Sequence, residues 1–273
     1  LQQKWQYALS FDEFIGFCIA LRGAIMRVML TKISNKRRVF AIVPAAGSGT
    51  RMGDPLPKQY LPINGLPMIL HTLTAMAGVA RIETIVVVIA ANDTYWDTVI
   101  SRHTQERGHG LSARLQVFRV GGRTRAESVL NGLRAVESMF GRDDCAMVHD
   151  AARPCIRSEL LEQFLDELED DPIGGLLALP VADTLKRSTP DQRVEHTLNR
   201  QQVWRAQTPQ MFRVGLLTQA LAEMPGATDE SQAIEAIGYQ PKLVIGESAN
   251  LKVTYATDMK LAQFLLSESE PKA

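Results

Sequence analysis

From Val39 onward, short apolar runs rich in β-branched residues alternate with stretches whose apolar residues recur at helical spacing. That alternation predicts a parallel sheet covered by helices. Residues 39–43 are uninterruptedly apolar, as a strand buried on both faces requires, and the run breaks at Pro44. Helical spacing over 67–76 leads to a β-branched strand at 84–90 (TIVVVIA), after which Asn92 and Asp93 cap a helix to about Arg107, ended by Gly108 and Gly110. A third strand is predicted at 115–120. Then come a glycine turn at 121–128 and a helix with Val129, Leu130, Leu133, Val136 and Met139 on one face. Residues 145–148 form a fourth strand, Ser158 caps a helix to Leu168, and 174–181 form a fifth. The chain closes with helices over 216–223 and from Thr228-Asp229-Glu230, a strand at 242–246 and a helix at 257–266.

Residues 183–213 interrupt this rhythm. A turn at Ser188-Thr189-Pro190-Asp191 separates two polar arms of β tendency, with too few apolar residues for a core. They read as an arm, at about 183–208, that leaves the domain to pair with a second subunit; the alternative is a surface hairpin beside its own site. The expected fold class is α/β, Rossmann-like, with a mostly parallel sheet, helices on both faces and a protruding β-arm for dimerisation. A single domain is expected over 38–270.

Residues 1–37 read as an extension outside that fold. Within it, the apolar run 14–21 is too short to span a bilayer, which takes about 20 residues. Asp12 and Glu13 precede the run where a secretory signal would carry positive charge. Residues before about Met29 read as a mis-set start or a dispensable extension.

Charge narrows the function. Thirty Lys and Arg balance thirty Asp and Glu, so no basic surplus points to nucleic acid or an anionic membrane, and any phosphate recognition must be local. The three cysteines, Cys18, Cys145 and Cys155, have no metal-type spacing and read as free thiols with a cytoplasmic address.

The candidate chemistry begins where the first strand breaks. Gly47, Gly49 and Gly53 permit positive φ and close ligand approach, and a loop of this kind exposes amide donors to phosphate oxygens. Arg51 in the loop and Lys58 beyond it add two cations, the requirement of a triphosphate site. The spacing is not that of a Walker loop, because Gly53 is not followed by Lys, and the first acid after the second strand, Asp93, lies too far on for a dinucleotide fold. A second glycine turn at 121–128 should meet the first. Asp150, at the carboxyl end of the fourth strand, stands where a lone carboxylate suits Mg²⁺ shared with substrate phosphates. Lys252, between the last strand and helix, joins the set. No Ser-His or Cys-His pair is evident, and none is needed if the acceptor is a phosphate monoester, already ionised at neutral pH.

The motifs at 44–52 (PAAGSGTRM), 57–60 (PKQY), 121–129 (GGRTRAESV), 148–154 (VHDAARP), 183–187 (DTLKR), 208–210 (TPQ), 228–230 (TDE) and 252–254 (KVT) resemble the 2-C-methyl-D-erythritol 4-phosphate cytidylyltransferases. The resemblance implies a reaction of CTP with methylerythritol phosphate, with Mg²⁺ as cofactor, in a homodimer. It implies that Arg51 and Lys58 bind the triphosphate, that Asp150 holds Mg²⁺ and that Lys252 contacts the reacting phosphate. Ala45, Ala46, Gly47, Gly122 and Ser128 would surround base and ribose, Ala151 would line the nucleotide site beside Asp150, and Arg125 would support that loop. Thr184 and Arg200, on the arm, would bind the substrate of the neighbouring subunit. Arg123 departs from relatives that carry an acid there. Two other functions fit the residues: a nucleotidyltransferase with a different phosphorylated acceptor, and a non-catalytic nucleotide-binding regulator.

Overall fold

The computed structural model describes residues 37–47, 56–107 and 111–269. The expectations for the N-terminal extension, for Gly49, Arg51 and Gly53, and for Gly108 and Gly110 lie outside them. From Arg38 on, the described elements are β1 Val39–Pro44, β2 Pro62–Ile63, β3 Leu66–Pro67, α1 Met68–Ala77, β4 Ile82–Val88, α2 Trp96–Arg107, β5 Leu115–Phe118, α3 Arg125–Ala135, β6 Cys145–Val148 and α4 Ser158–Leu168. They continue with β7 Gly174–Pro180, β8 Lys186–Ser188, β9 Val194–Thr197, β10 Trp204–Arg213, α5 Val214–Glu223, α6 Glu230–Ala236, β11 Lys242–Ile245 and α7 Ala256–Ser269.

Among the described residues, seven strands form one sheet in the order β11-β7-β10-β6-β1-β4-β5. β1 runs parallel to both β4 and β6, so the chain steps to one side of β1 and then returns to the other. Such a reversal opens a crevice at the carboxyl ends of the strands. Alternate residues of β1 feed two cores. Ala41 and Val43 pack with Leu70 and Leu73 of α1 and Phe164 of α4, while Phe40 and Ile42 pack with Val129 and Leu133 of α3 and Leu217 of α5. Both faces are therefore covered, which is why the strand is apolar throughout.

Most predicted elements form, with shifted ends. β4 begins at Ile82 rather than at 84, and β5 stops at Phe118 rather than at 120. Asp93 does cap α2, its Oδ1 accepting from the amides of Tyr95 and Trp96. Ser158 does not cap α4: its hydroxyl donates to Ala75 O at 2.8 Å and ties α4 to α1.

The larger correction concerns 204–213. This segment is not part of an arm but β10, antiparallel to both β6 and β7 in the middle of the sheet. Its Gln207, Thr208 and Gln210 are buried, each with hydrogen-bond partners that make burial of a polar side chain tolerable. The hairpin that remains, β8 paired with β9, is exposed along its length, with Val194 64 % exposed.

Candidate functional site

The loops after β1, β5 and β6 and the segment before α7 enclose a cleft of about 460 Å³. Ala45, Ala46, Gly47, Lys58, Gly122, Arg125, Ser128, Asp150, Ala151 and Lys252 all line it, so the structure gathers most of the sequence-predicted set. Arg51 lies outside the described residues. Thr184 and Arg200 are exposed and do not line this chain's cleft.

The two glycine turns do meet. A Cβ on Gly121 would stand 2.3 Å from the Ala46 Cβ and 2.9 Å from Ile89 O, so only glycine lets the loop after β5 cross to the loop after β1. Gly47 does not take the positive φ that glycine permits, but nothing lies within 4 Å of where its Cβ would be, so the backbone there is open to close approach. Beyond Gly121, the Thr124 hydroxyl caps α3 by accepting from Glu127 N, and Ser128 Oγ accepts from Gly122 N at 3.0 Å while donating to Thr124 O. Ser128 thus fixes the loop from below.

Lys58 opens a short 3₁₀ turn, Lys58–Tyr60. Gln59 Nε2 donates to Ala45 O at 2.8 Å, which anchors this turn to the loop after β1, and Lys58 Nζ donates to Val253 O at 3.0 Å. Val253 N in turn donates to Ala152 O. Lys58 and Lys252 therefore bracket one strip of backbone pinned to the loop after β6.

Asp150 is the electrostatic centre. Its Oδ1 accepts from Arg125 Nε at 2.8 Å, its Oδ2 lies 2.7 Å from Lys252 Nζ, and Arg153 Nε lies 4.0 Å from Oδ2. Burial alone would raise this carboxyl, but the charges of Arg125 and Lys252 outweigh it and hold it far below the usual carboxylate range. Arg125 does not prop the glycine turn through hydrogen bonds of its own. Its terminal nitrogens fork onto Glu230 at 2.7 and 3.0 Å, and Glu230 is fully buried at the start of α6. Burial would lower the Arg125 guanidinium; Glu230 and Asp150 overcome this and keep it charged.

Several residues behind Asp150 were not singled out from sequence. Thr208 Oγ1 accepts from Asp150 N at 3.1 Å and pairs with His149 Nδ1 at 3.1 Å, while His149 Nε2 faces Arg153 O at 3.3 Å. Asn250 Nδ2 donates to Thr208 O, and Gln210 joins β10 to Asp229 and Ser231 at the start of α6. The TPQ and TDE motifs carried the signal, but nothing in their composition said they form one wall.

Burial lowers the pKa of His149 to about 4 from the ordinary 6.5. Between those values the unfolded chain binds the proton and the native chain does not, so stability is present above pH 6.5 and is lost as pH falls towards 4. With each tenfold change in proton affinity worth about 1.4 kcal/mol, the loss is on the order of 3 kcal/mol. Urea unfolding between pH 7 and pH 4.5 should show it, and His149→Gln should flatten the slope. Equal slopes would rule out His149 as the source.

No metal cluster is preformed: among the described residues no three His, Cys, Asp or Glu side chains come together. One ionised carboxylate at the cleft floor fits Mg²⁺, which takes its remaining ligands from water and substrate phosphate oxygens, and fits Zn²⁺ or Ca²⁺ poorly. Cys145 and Cys155 are both buried, and Cys155 Sγ lies 3.8 Å from Ala262 O. Among the described residues no helix is long and apolar enough to cross a membrane.

A family model described as 2-C-methyl-D-erythritol 4-phosphate cytidylyltransferase matches residues 39–268. A protein of that name from Dechloromonas aromatica is 52 % identical over 229 residues, covering 84 % of this chain and 97 % of the relative. Another from Nitrosomonas eutropha is 49 % identical over 234 residues, covering 85 % and 97 %. A crystal structure of a 4-diphosphocytidyl-2C-methyl-D-erythritol synthase superposes with a TM-score of 0.73 at 36 % identity, over 85 % of this chain and all of that one. The Francisella tularensis 2-C-methyl-D-erythritol 4-phosphate cytidylyltransferase structure gives 0.68 at 30 % identity, over 84 % and 99 %.

Proposed function

Because the chain belongs to the 2-C-methyl-D-erythritol 4-phosphate cytidylyltransferase family, we propose that this cleft transfers CMP from CTP to 2-C-methyl-D-erythritol 4-phosphate, releasing pyrophosphate, in the non-mevalonate route to isoprenoids. The observation that carries the reading is the cleft itself, a glycine-lined crevice at a strand-order reversal with Lys58 in its lining and with Lys252 and Arg125 on one carboxylate.

The acceptor's phosphate oxygen forms a bond to the α-phosphorus as the bond from that phosphorus to the β-phosphate oxygen breaks. The electron pair leaves with pyrophosphate. The acceptor is largely ionised at neutral pH, so no side chain has to remove a proton. What the chain supplies is position and charge. Lys58 and Arg51 neutralise the triphosphate, Lys252 meets the reacting phosphate, and the Ala45, Ala46, Gly47 loop with Gly122, Ser128 and Ala151 receives the nucleoside. Asp150 would hold Mg²⁺, which would supply positive charge to offset the negative charge of the substrate phosphates. The exposed β8–β9 hairpin serves as a dimer arm that carries Thr184 and Arg200 to the partner's acceptor phosphate, and the enzyme works in the cytoplasm.

The test is pyrophosphate release with CTP, UTP, GTP and ATP against methylerythritol phosphate, sugar 1-phosphates and a pterin phosphate. Release confined to CTP with methylerythritol phosphate is the expected result. Equal or better turnover with another pair would give the cleft another acceptor, and no turnover with any would leave a nucleotide-binding regulator.

A further inference from the structure

The cations around Asp150 are unequally held. Arg125 is fixed at two points by the buried Glu230, and Arg153 donates from Nη1 to Asn250 O at 2.6 Å in a buried setting. Arg125 cannot swing away without leaving the buried Glu230 carboxylate unpaired, and Arg153 is itself buried. Lys252 differs: its side chain is 41 % exposed on a flexible stem, and its ammonium meets Asp150 Oδ2 at 2.7 Å.

We propose that Lys252 is a removable counter-ion, holding Asp150 in the ligand-free chain and releasing it to a divalent cation only when nucleotide arrives to receive the lysine ammonium. This rests on the reading of Asp150 as the carboxylate for Mg²⁺. A hard cation needs an Asp150 oxygen, and both oxygens already have cationic partners. The bare cation also brings positive charge to a cleft where Lys58, Arg125, Arg153 and Lys252 already outnumber Asp150 and Glu230. A triphosphate reverses that balance and gives the displaced ammonium a new partner. Metal and nucleotide thus bind with positive coupling, and Lys252 carries it.

Mn²⁺ serves as the probe, its binding read by electron paramagnetic resonance and calorimetry on the full chain without acceptor, so that nothing turns over. Without CTP, Lys252→Met should bind Mn²⁺ about 10-fold more tightly than wild type, and Lys252→Gln should behave alike. Lys242→Met, which removes a lysine charge paired with Glu167 outside the cleft lining, should stay within about 2-fold of wild type. The strengthening of Mn²⁺ binding by CTP should shrink in both Lys252 variants. No gain in either Lys252 variant, or an equal gain in Lys242→Met, overturns the proposal. Asp150→Asn separates the two levels of the argument. If it weakens CTP-supported Mn²⁺ binding, the metal reading stands whatever the lysine variants do; if it leaves that binding unchanged, the metal reading falls and the counter-ion proposal with it.

Discussion

Lys58→Ala should lower turnover by about 10²-fold or more, with a far smaller change in the Michaelis constant for CTP. The reason lies in when the charge is needed. Bound CTP is already anionic and meets many amides, so one missing cation is partly made good in the ground state. As the α-phosphorus becomes five-coordinate, charge gathers where a fixed ammonium can reach it, and water cannot reorganise there at no cost. Loss of one such donor is worth about 3 kcal/mol. Lys58 is suited to the task because its turn is anchored through Gln59 to Ala45 O and its ammonium is aligned by Val253 O. Single-turnover and steady-state kinetics separate the two constants. A variant that keeps wild-type turnover would support the regulator, which has no use for this lysine.

The buried parallel strands β1 and β6 were legible in the sequence because strands covered on both faces must be apolar throughout, and their carboxyl ends pointed to the loop after β1 and to Asp150. β10 was not legible. Gln207, Thr208 and Gln210 look like surface residues because polarity reports solvent only when no internal partner exists, and theirs come from segments distant in sequence, Glu247, Asp150 and Ser231. Glu230 was hidden for the same reason. It sits one residue beyond the Asp229 cap and reads as a favourable first-turn acid, while its role is set by Arg125, 105 positions earlier. Long-range ion pairs leave no local periodicity, so the cleft's lining was predictable where loops follow strands and unpredictable where one buried charge steadies another.

The second large effect concerns the arm. Arg200→Ala should be nearly inactive, and so should Lys58→Ala, yet a mixture of the two refolded together should regain activity up to about a quarter of wild type. In a hybrid dimer, one cleft takes Lys58 from the Arg200→Ala chain and Arg200 from the Lys58→Ala chain, and so carries both residues; the other cleft carries neither. Random pairing makes half the dimers hybrid, each with one of two sites restored, which sets the ceiling. The geometry behind this is that Arg200 is exposed and absent from the lining of its own cleft, while the β8–β9 hairpin has almost nothing of its own chain to pack on. Differently tagged chains purified through both tags isolate the hybrid, and its activity should be half that of wild type. A purified hybrid with no activity would return Arg200 to its own subunit, and failure of the two tags to co-purify would remove the dimer on which the arm's role depends.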